Sequence, residues 1–164
     1  MSFAFSSRQG FAWKPAIVAT VLIVATMGLG QIATTPNLPW YNHLAKPWFT
    51  PPNYVFGPIW TVLYAVLGYL FYRILRLPDY VRGRNAAIAA FVVFLIVNTL
   101  WSYAFFSAHS YVGGLVDIAA QVAALIVTVV LFGRLDRYSP LGFIPVAMWV
   151  GFATALNYEI LQMN

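Results

Sequence analysis

The stretch KPWFTPPNYVFGPIW, residues Lys46 to Trp60, joins two long apolar runs and holds four prolines and two tryptophans in fifteen residues. Proline fixes φ and removes a backbone donor, so this stretch interrupts any helix that reaches it. It therefore marks a stiff aromatic connection between two hydrophobic segments. The nature of those segments decides the fold.

The composition is that of a membrane protein. Of the 164 residues, 62% are hydrophobic and 8% charged, against about 25% charged in soluble domains. The alternative, an unusually oily soluble core, would have to hide more apolar surface than a chain of this length can. The absence of cysteine excludes disulfides and thiolate chemistry. The two histidines, His43 and His109, fall in predicted connections, so no metal site is expected.

Five segments reach the length of about 20 mostly apolar residues that a spanning helix needs. They cover residues 14–34, 54–75, 86–107, 112–132 and 141–163. Every backbone group in a bilayer must be paired internally, which favours helices. The sequence thus predicts an all-α membrane protein, a bundle of five transmembrane helices forming one domain over residues 1–164. The first segment could imitate a signal peptide, but its apolar run is long for one, which favours a retained helix.

The charges orient this bundle. If all five helices span, one side carries eight basic residues: Arg8, Lys14, Arg73, Arg76, Arg82, Arg84, Arg134 and Arg137. The other side carries only Lys46. The positive-inside rule then places the N-terminus in the cytoplasm and favours a bacterial inner membrane, with an outer or organellar membrane left open. Because the basic residues form no basic face, nucleic acid is not an expected partner.

The connection over residues 35–53 is long and rich in aromatic residues. Its prolines stiffen it, and its aromatic side chains need a surface to cover, which predicts a cover over one mouth of the bundle. Asn53 is expected to cap the following helix. For Trp40 and Trp48, an interfacial aromatic belt is the alternative interpretation.

Polar and aromatic residues converge in the outer half of the predicted bundle, the half away from the basic side. At helical spacings they form stripes that share a face: Trp60 with Tyr64; Asn98, Trp101 and Phe105; Asp117, Gln121 and Leu125; and Trp149, Ala153 and Asn157. Such a set predicts an aromatic-walled cavity for a small molecule. Alternatively, the amides of Asn98, Gln121 and Asn157 only bond neighbouring helices, at about 1 kcal/mol each, and Trp101 and Phe105 are plain packing.

Four blocks of the sequence resemble the translocator protein family, also called tryptophan-rich sensory proteins, TspO/MBR or peripheral-type benzodiazepine receptors. They are WYNHLAKPWFTPP at 40–52, FGPIWTVLY at 56–64, NTLWSYAFF at 98–106 and FATALNYEI at 152–160. The resemblance implies five transmembrane helices, frequently as a homodimer, and a pocket closed by the first long connection.

The resemblance also implies ligands. Family ligands include porphyrins such as protoporphyrin IX and haem, benzodiazepine-site compounds and, in animal members, cholesterol. The pocket positions that it implies are Tyr41, Lys46, Pro51, Trp60, Asn98, Trp101, Phe105, Trp149, Ala153 and Asn157, and the stripe argument adds Gln121. Porphyrin would be a ligand, with no cofactor required, and its propionates could meet Lys46 or backbone donors near the mouth. LNYEILQMN lacks the base of the cholesterol motif, so recognition by that motif is not expected.

Three functions compete on this evidence. The leading one is a membrane receptor or carrier that binds and buffers tetrapyrroles. The second is light- and oxygen-dependent porphyrin degradation, in which Trp60 and Trp149 would be catalytic. The third is transport of a lipid or small metabolite. A homodimer is expected, through small-residue faces that contain Ala86 and Ala90 or Ala25, Gly28 and Gly30.

Overall fold

The computed structural model describes residues 11–164, so Arg8 lies outside the described residues. Its elements are α1 (Trp13–Thr34), a 3-10 turn (Thr35–Asn37), α2 (Leu38–His43), α3 (Asn53–Leu75), α4 (Arg84–Ser102) with a π-helical turn (Tyr103–Ser107), α5 (Tyr111–Leu135) and α6 (Ser139–Met163). Over this range the chain is helical, without strands. Five helices, α1, α3, α4, α5 and α6, are long and apolar enough to span a membrane, which confirms the predicted fold class.

The predicted helix bounds are close to the observed ones. Each spanning helix begins one or two residues before its predicted start, and α5 continues to Leu135. The expected cap at Asn53 is wrong, because Asn53 is already the first helical residue and Pro52 occupies the N-cap position without a side-chain hydrogen bond. The Asn53 amide instead donates to Asn42 Oδ1 at 2.7 Å. Asn53 thus joins α3 to α2.

The five spanning helices form a closed ring. α1 contacts α3 and α4, α5 contacts α4 and α6, and a contact between α3 and α6 closes the circle. The connections expected on the cytoplasmic side meet at one end of this ring. There Arg73 Nη2 lies 2.8 Å from Asp136 Oδ2, and the Ala12 amide donates to the Tyr72 hydroxyl at 3.1 Å. We call this the inner end.

Phenylalanine rings fill the inner half of the ring. Phe71, Phe91, Phe132 and Phe143 come from four different helices and are all 2% exposed or less. Phe71 and Phe91 stack with centroids 4.6 Å apart, Phe91 lies 5.6 Å from Phe132, and Phe132 lies 5.3 Å from Phe143. Close-packed aromatic rings of this kind make a rigid apolar core.

The small-residue faces expected at a dimer contact differ in their surroundings. Ala86 is exposed on α4, and a side chain at Gly28 on α1 would meet nothing within 4 Å. Gly30 faces inward, since a Cβ there would lie 3.6 Å from Ser102 Oγ. Gly30 is therefore not part of an outer face, because a rotation of about 200° separates it from Gly28 on the helix.

Candidate ligand-binding cavity

A cavity of about 270 Å³ lies in the outer half of the bundle, opposite the inner end. All five spanning helices and α2 border it. It collects every predicted site residue except Lys46 and Pro51, namely Tyr41, Trp60, Asn98, Trp101, Phe105, Gln121, Trp149, Ala153 and Asn157. The structure thus brings residues of all four predicted stripes together around one space.

Aromatic rings form the walls of this cavity. Trp60 and Trp149 lie edge to face with centroids 6.3 Å apart and an interplanar angle of 88°. Trp101 stacks on Phe105 at 5.2 Å, and Trp149 stacks on Phe152 at 5.2 Å. Walls of this kind offer both faces and edges of rings to a flat aromatic ligand.

The π-helical turn at Tyr103–Ser107 shapes one wall. The Ala108 amide donates to the Tyr103 carbonyl at 2.8 Å, a five-residue span. In an α-helix consecutive side chains point about 100° apart, yet Phe105 and Phe106 are both buried and both line the cavity. Turns of this type occur frequently at functional sites.

The cover, which we define as residues 35–52, closes the outer mouth. Trp40 stacks on His109 at 4.1 Å and on Tyr111 at 5.9 Å, and Tyr41 is 5% exposed. Trp48, in contrast, is 95% exposed, so it covers nothing. The interfacial interpretation therefore fits Trp48, whereas Trp40 belongs to the packed cover.

Lys46 holds the cover in shape. Its ammonium group donates to the carbonyl oxygens of Tyr41, Asn42 and Leu44 at 2.8, 3.3 and 3.1 Å. Its Nζ also lies 4.9 Å from the centroid of the Tyr41 ring. An ammonium group has three protons, and these three bonds use them all. Neither Lys46 nor Pro51 belongs to the cavity lining.

Two of the predicted polar residues bond neighbouring helices. The Tyr64 hydroxyl donates to Asn98 Oδ1 at 2.6 Å. Asn157 Nδ2 donates to the Tyr111 carbonyl at 2.9 Å, and a Cβ at Gly114 would overlap Asn157 Oδ1. For Asn98 and Asn157, the helix-contact interpretation thus describes the hydrogen bonds that the structure shows.

Gln121 differs from these two amides. Gln121 is 4% exposed and lines the cavity. Its carboxamide nevertheless makes no hydrogen bond within residues 11–164. The Tyr41 hydroxyl is likewise without a partner in that range, and it also borders the cavity. Trp101 Nε1 and Asn157 Oδ1, from two further residues of the lining, are also buried without a hydrogen-bond partner in residues 11–164.

Asp117 does not share the orientation of Gln121. It lies in a separate shallow groove between α4 and α5, with Tyr103, Ala104 and Ala108. A step of four residues turns a helix by about 40° beyond a full turn, which is enough to carry Asp117 out of the cavity. The prediction that Asp117 and Gln121 face one site is therefore wrong.

Sequence reasoning missed the contribution of α1. Met27, Gln31 and Thr34 line the cavity from this helix. Their i, i+4, i+7 spacing was the available signal for a shared face. The complete lining, within the described part of the chain, contains no Lys, Arg, His, Asp or Glu.

The fold and cavity define a class: a membrane protein with five spanning helices and an aromatic cavity, without charged lining residues, in one half of its bundle. The model of the TspO/MBR family matches residues 16–163. The tryptophan-rich protein TspO of Archaeoglobus fulgidus is 37% identical over 150 residues, covering 90% of this chain and 96% of that protein. The chain belongs to the TspO/MBR family, as its four sequence blocks indicated.

Two further relatives, from other organisms, also match this chain over most of its length. A tryptophan-rich protein TspO of Chlorobaculum tepidum is 33% identical over 144 residues, covering 87% of this chain and 91% of the relative. The translocator protein of Homo sapiens is 30% identical over 154 residues, covering 93% of this chain and 91% of the relative. The similarity therefore extends over nearly the whole of each relative.

Proposed function

We propose that this protein is a membrane receptor or carrier that binds porphyrins, such as protoporphyrin IX and haem, and other hydrophobic aromatic ligands. Its role would be regulatory or would buffer tetrapyrroles. The observation that carries the proposal is the cavity with walls of Trp60, Trp101 and Trp149 under the cover. Flat apolar macrocycles gain from stacking on such rings.

The size of the cavity adds a condition. At about 270 Å³ it lies at the low end of ligand sites, which span roughly 300–1,000 Å³. A porphyrin would therefore need the cover to move outward, or would keep part of its ring at the mouth. The cover is held mainly by stacking and by neutral hydrogen bonds, such as that between Asn42 and Asn53, which are compatible with such movement.

Tryptophan fluorescence in nanodiscs tests this proposal. Protoporphyrin IX should quench the parent protein in a saturable way at micromolar concentration or below. Trp60→Phe and Trp149→Phe should each remove part of the quenching, and Ala153→Leu should weaken the affinity by filling the cavity. Trp48→Phe is the matched control, because Trp48 is exposed and outside the cavity. Quenching that stays linear, or that Ala153→Leu leaves unchanged, would contradict the proposal.

A second candidate is photo-oxidative degradation of bound porphyrin. The perpendicular pair of Trp60 and Trp149 on the cavity wall favours it, since both indoles would lie beside a bound ring. Illumination of the complex in air should then bleach the porphyrin, and Trp60→Phe should slow the bleaching without abolishing binding. Equal bleaching in the parent and in Ala153→Leu would assign the loss to free porphyrin.

Transport of a lipid or metabolite is less favoured. It would need a path through the inner half, where the rings of Phe71, Phe91 and Phe132 contact one another. Vectorial uptake of protoporphyrin IX into sealed proteoliposomes would support transport over simple binding.

We also propose a homodimer in a bacterial inner membrane with the N-terminus in the cytoplasm. The exposed face of α4 that contains Ala86 supports the dimer, because small residues let helices approach closely. The concentration of basic residues at the inner end supports the orientation. Mass measurement in nanodiscs of parent and Ala86→Leu protein tests the dimer, and a monomer in both would contradict it.

A further inference from the structure

Asp117 carries a carboxyl group that the aromatic cavity does not use. It borders the groove between α4 and α5 on the outside of the bundle, where Leu100 is 50% exposed and Val116 is 67% exposed. These apolar side chains face the lipid, because α4 and α5 are both long and apolar enough to span the membrane. The groove is therefore a lipid-facing surface with an acidic residue in its wall.

The Asp117 carboxylate lacks a partner within the described residues. Its Oδ2 atom is buried and accepts no hydrogen bond from residues 11–164, and the salt bridges in that range do not include it. Asp136, in contrast, is paired with Arg73 and with the Ser139 hydroxyl. A buried carboxylate without a partner is costly, and inside a membrane segment it marks a functional position. A partner from the surroundings of the bundle would remove this cost.

The depth of Asp117 indicates that this partner is a lipid headgroup. α5 has 25 residues and is therefore about 37 Å long, against about 30 Å for the hydrocarbon core of a bilayer. Asp117 follows Tyr111, the first residue of α5, by six positions, which is about 9 Å. With equal projection at both ends, its backbone lies about 5 Å inside the hydrocarbon. Helical side chains tilt towards the N-terminus, which brings the carboxylate closer to the headgroups.

Small residues keep the groove open beside this carboxylate. Ala104 and Ala108 border it from the α4 side, and Gly113 and Ala120 border it from α5. A Cβ at Gly113 would lie 2.8 Å from Ser110 Oγ, so a larger residue there would disturb the cap of α5. Small residues allow another chain to approach the helix backbones closely. An acyl chain can therefore lie in the groove and end at the acidic group.

The chemistry of Asp117 selects a cation with N–H donors. An ionised carboxylate accepts hydrogen bonds and donates none, and a hydrogen bond between two ionised groups is about twice as strong as a neutral one. A primary ammonium headgroup carries three N–H donors, as a lysine side chain does. A trimethylammonium headgroup has the same charge but no N–H donor. The groove should therefore distinguish these two headgroups.

Protein side chains at the outer end do not supply this cation. Lys46 is the only Lys or Arg there among the described residues, and its ammonium group already donates to three backbone carbonyl oxygens. His109 stacks on Trp40 and its Nε2 is hydrogen-bonded to Asn37 Oδ1, so it belongs to the contacts of the cover. A second copy of this chain would bring the same committed groups, which favours lipid over a protein contact.

We propose that the groove between α4 and α5 binds a phospholipid whose headgroup carries a primary ammonium group, such as phosphatidylethanolamine. The ammonium group donates to Asp117 Oδ2, and an acyl chain lies along Ala104, Gly113 and Ala120. This site lies on the outside of the bundle, apart from the aromatic cavity. It does not depend on the ligand proposed for that cavity.

A series of headgroups tests the proposal on the parent protein. Phosphatidylethanolamine, its N,N-dimethyl form and phosphatidylcholine, all with the same acyl chains, are titrated into delipidated protein in mild detergent, and native mass spectrometry measures the bound lipid. Phosphatidylethanolamine should bind about tenfold more tightly than phosphatidylcholine, a difference of about 1.4 kcal/mol, because only its ammonium group donates hydrogen bonds. The dimethyl form, with one donor, should lie between them. Equal affinities across the series would overturn the proposal.

Variants of Asp117 locate the binding. Asp117→Asn should lower the affinity for phosphatidylethanolamine about tenfold, to that for phosphatidylcholine, because the ionic hydrogen bond is lost. Asp117→Glu should restore most of the preference. Glu159→Gln is the matched control, since Glu159 is a half-buried acidic residue near the outer end of α6 and outside the groove. An unchanged preference in Asp117→Asn would refute the pairing, and if that variant does not fold, the headgroup series on the parent protein still decides.

A variant that fills the groove tests the acyl-chain contact. Ala120→Leu should weaken the binding of phosphatidylethanolamine and phosphatidylcholine by a similar factor, because the added side chain occupies the groove. Ala119→Leu is the matched control, since Ala119 is exposed on the same helix but does not border the groove. Porphyrin affinity should stay unchanged in these variants, which separates this site from the cavity. A dimer that Asp117→Asn dissociates, without any change in lipid binding, would assign the groove to a protein contact and overturn the proposal.

Discussion

The two halves of the bundle use aromatic residues in opposite ways. In the inner half, Phe71, Phe91 and Phe132 are turned towards one another and fill the centre. In the outer half, Trp60 and Trp149 stand around a cavity. Phenylalanine has no polar atom to satisfy, whereas the indole N–H of tryptophan does. The inner half is thus filled by phenylalanine alone among these rings, whereas the outer half arranges both tryptophan and phenylalanine rings around a cavity.

Polar groups show the same division. In the inner half, Asp136 is 4% exposed and is paired with Arg73 at 2.8 Å and with the Ser139 hydroxyl at 2.7 Å. In the outer half, the side chains of Gln121 and Tyr41 lack hydrogen-bond partners in residues 11–164. A satisfied buried network rigidifies a fold, and an unsatisfied one is costly to the protein until something binds. Stability is therefore expected to concentrate at the inner end and ligand response at the outer end.

The largest effect is expected from Phe91→Ala. Phe91 is fully buried and contacts Phe71 and Phe132, so the truncation should lower the free energy of unfolding by about 3–5 kcal/mol. Equilibrium unfolding in mild detergent measures this change. Porphyrin affinity at low temperature should stay near that of the parent. A decrease in the free energy of unfolding of less than about 1 kcal/mol would contradict the contrast between the halves, because removing a ring from a well-packed core costs more than that.

Trp149→Ala should give the opposite pattern. Trp149 is only half-buried and borders the cavity, so its removal costs fewer packing contacts than the removal of Phe91. Protoporphyrin IX affinity should fall about tenfold, in line with the 1–3 kcal/mol of a stacking ring, and the stability loss should be smaller than for Phe91→Ala. Parallel titration and unfolding of the two variants provide the comparison. Larger destabilisation by Trp149→Ala would reverse the assignment of the two halves.

Asn157→Leu should have an intermediate effect. It removes the hydrogen bond to the Tyr111 carbonyl, which should cost about 1 kcal/mol of stability. Because Asn157 also lines the cavity, the variant asks whether this amide serves helix packing or the ligand. If the variant is less stable but binds the ligand with unchanged affinity, Asn157 serves the helix contact. If its stability is unchanged but its affinity falls, Asn157 serves the ligand.

The smallest effect is expected at Asn164, which is hydrogen-bonded to the cover. Asn164 accepts from the Ala45 amide at 3.0 Å and donates to the Ala45 carbonyl at 2.9 Å. Asn164→Ala should speed porphyrin release about two- to fivefold, because these hydrogen bonds are exposed and individually weak. Stopped-flow displacement measures the release rate, with Asn85→Ala at the inner end as control. Unchanged release would show that the cover does not limit exchange.

Most of the fold could be predicted from the sequence. Apolar length and the distribution of arginines are sufficient to define spanning helices, and all five were predicted. The helical turns in residues 35–43 were not, because a short segment with Pro36 and Pro39 carries too little periodic pattern to distinguish a helix from a stiff loop.

The site was predicted less completely. Stripe spacing placed Trp60, Trp101 and Gln121 correctly at the cavity, but it could not resolve a rotation of about 40°, so Asp117 was assigned to the wrong side. Charge alone made Lys46 look available for a ligand, whereas its backbone partners emerge only once the cover has folded. The π-helical turn, which brings Phe105 and Phe106 to one wall, has no signal in residue spacing.

The most direct test of the contrast between the halves is thiol accessibility, since the chain contains no cysteine of its own. Ala153→Cys on the cavity wall and Ala87→Cys, at a position fully buried in the inner half, are each treated with a small membrane-permeable maleimide in nanodiscs. The cysteine at position 153 should react, protoporphyrin IX dimethyl ester should protect it, and the cysteine at position 87 should stay unreactive. Equal reaction at both positions, or reaction at position 153 that the porphyrin ester does not slow, would contradict a ligand cavity confined to the outer half.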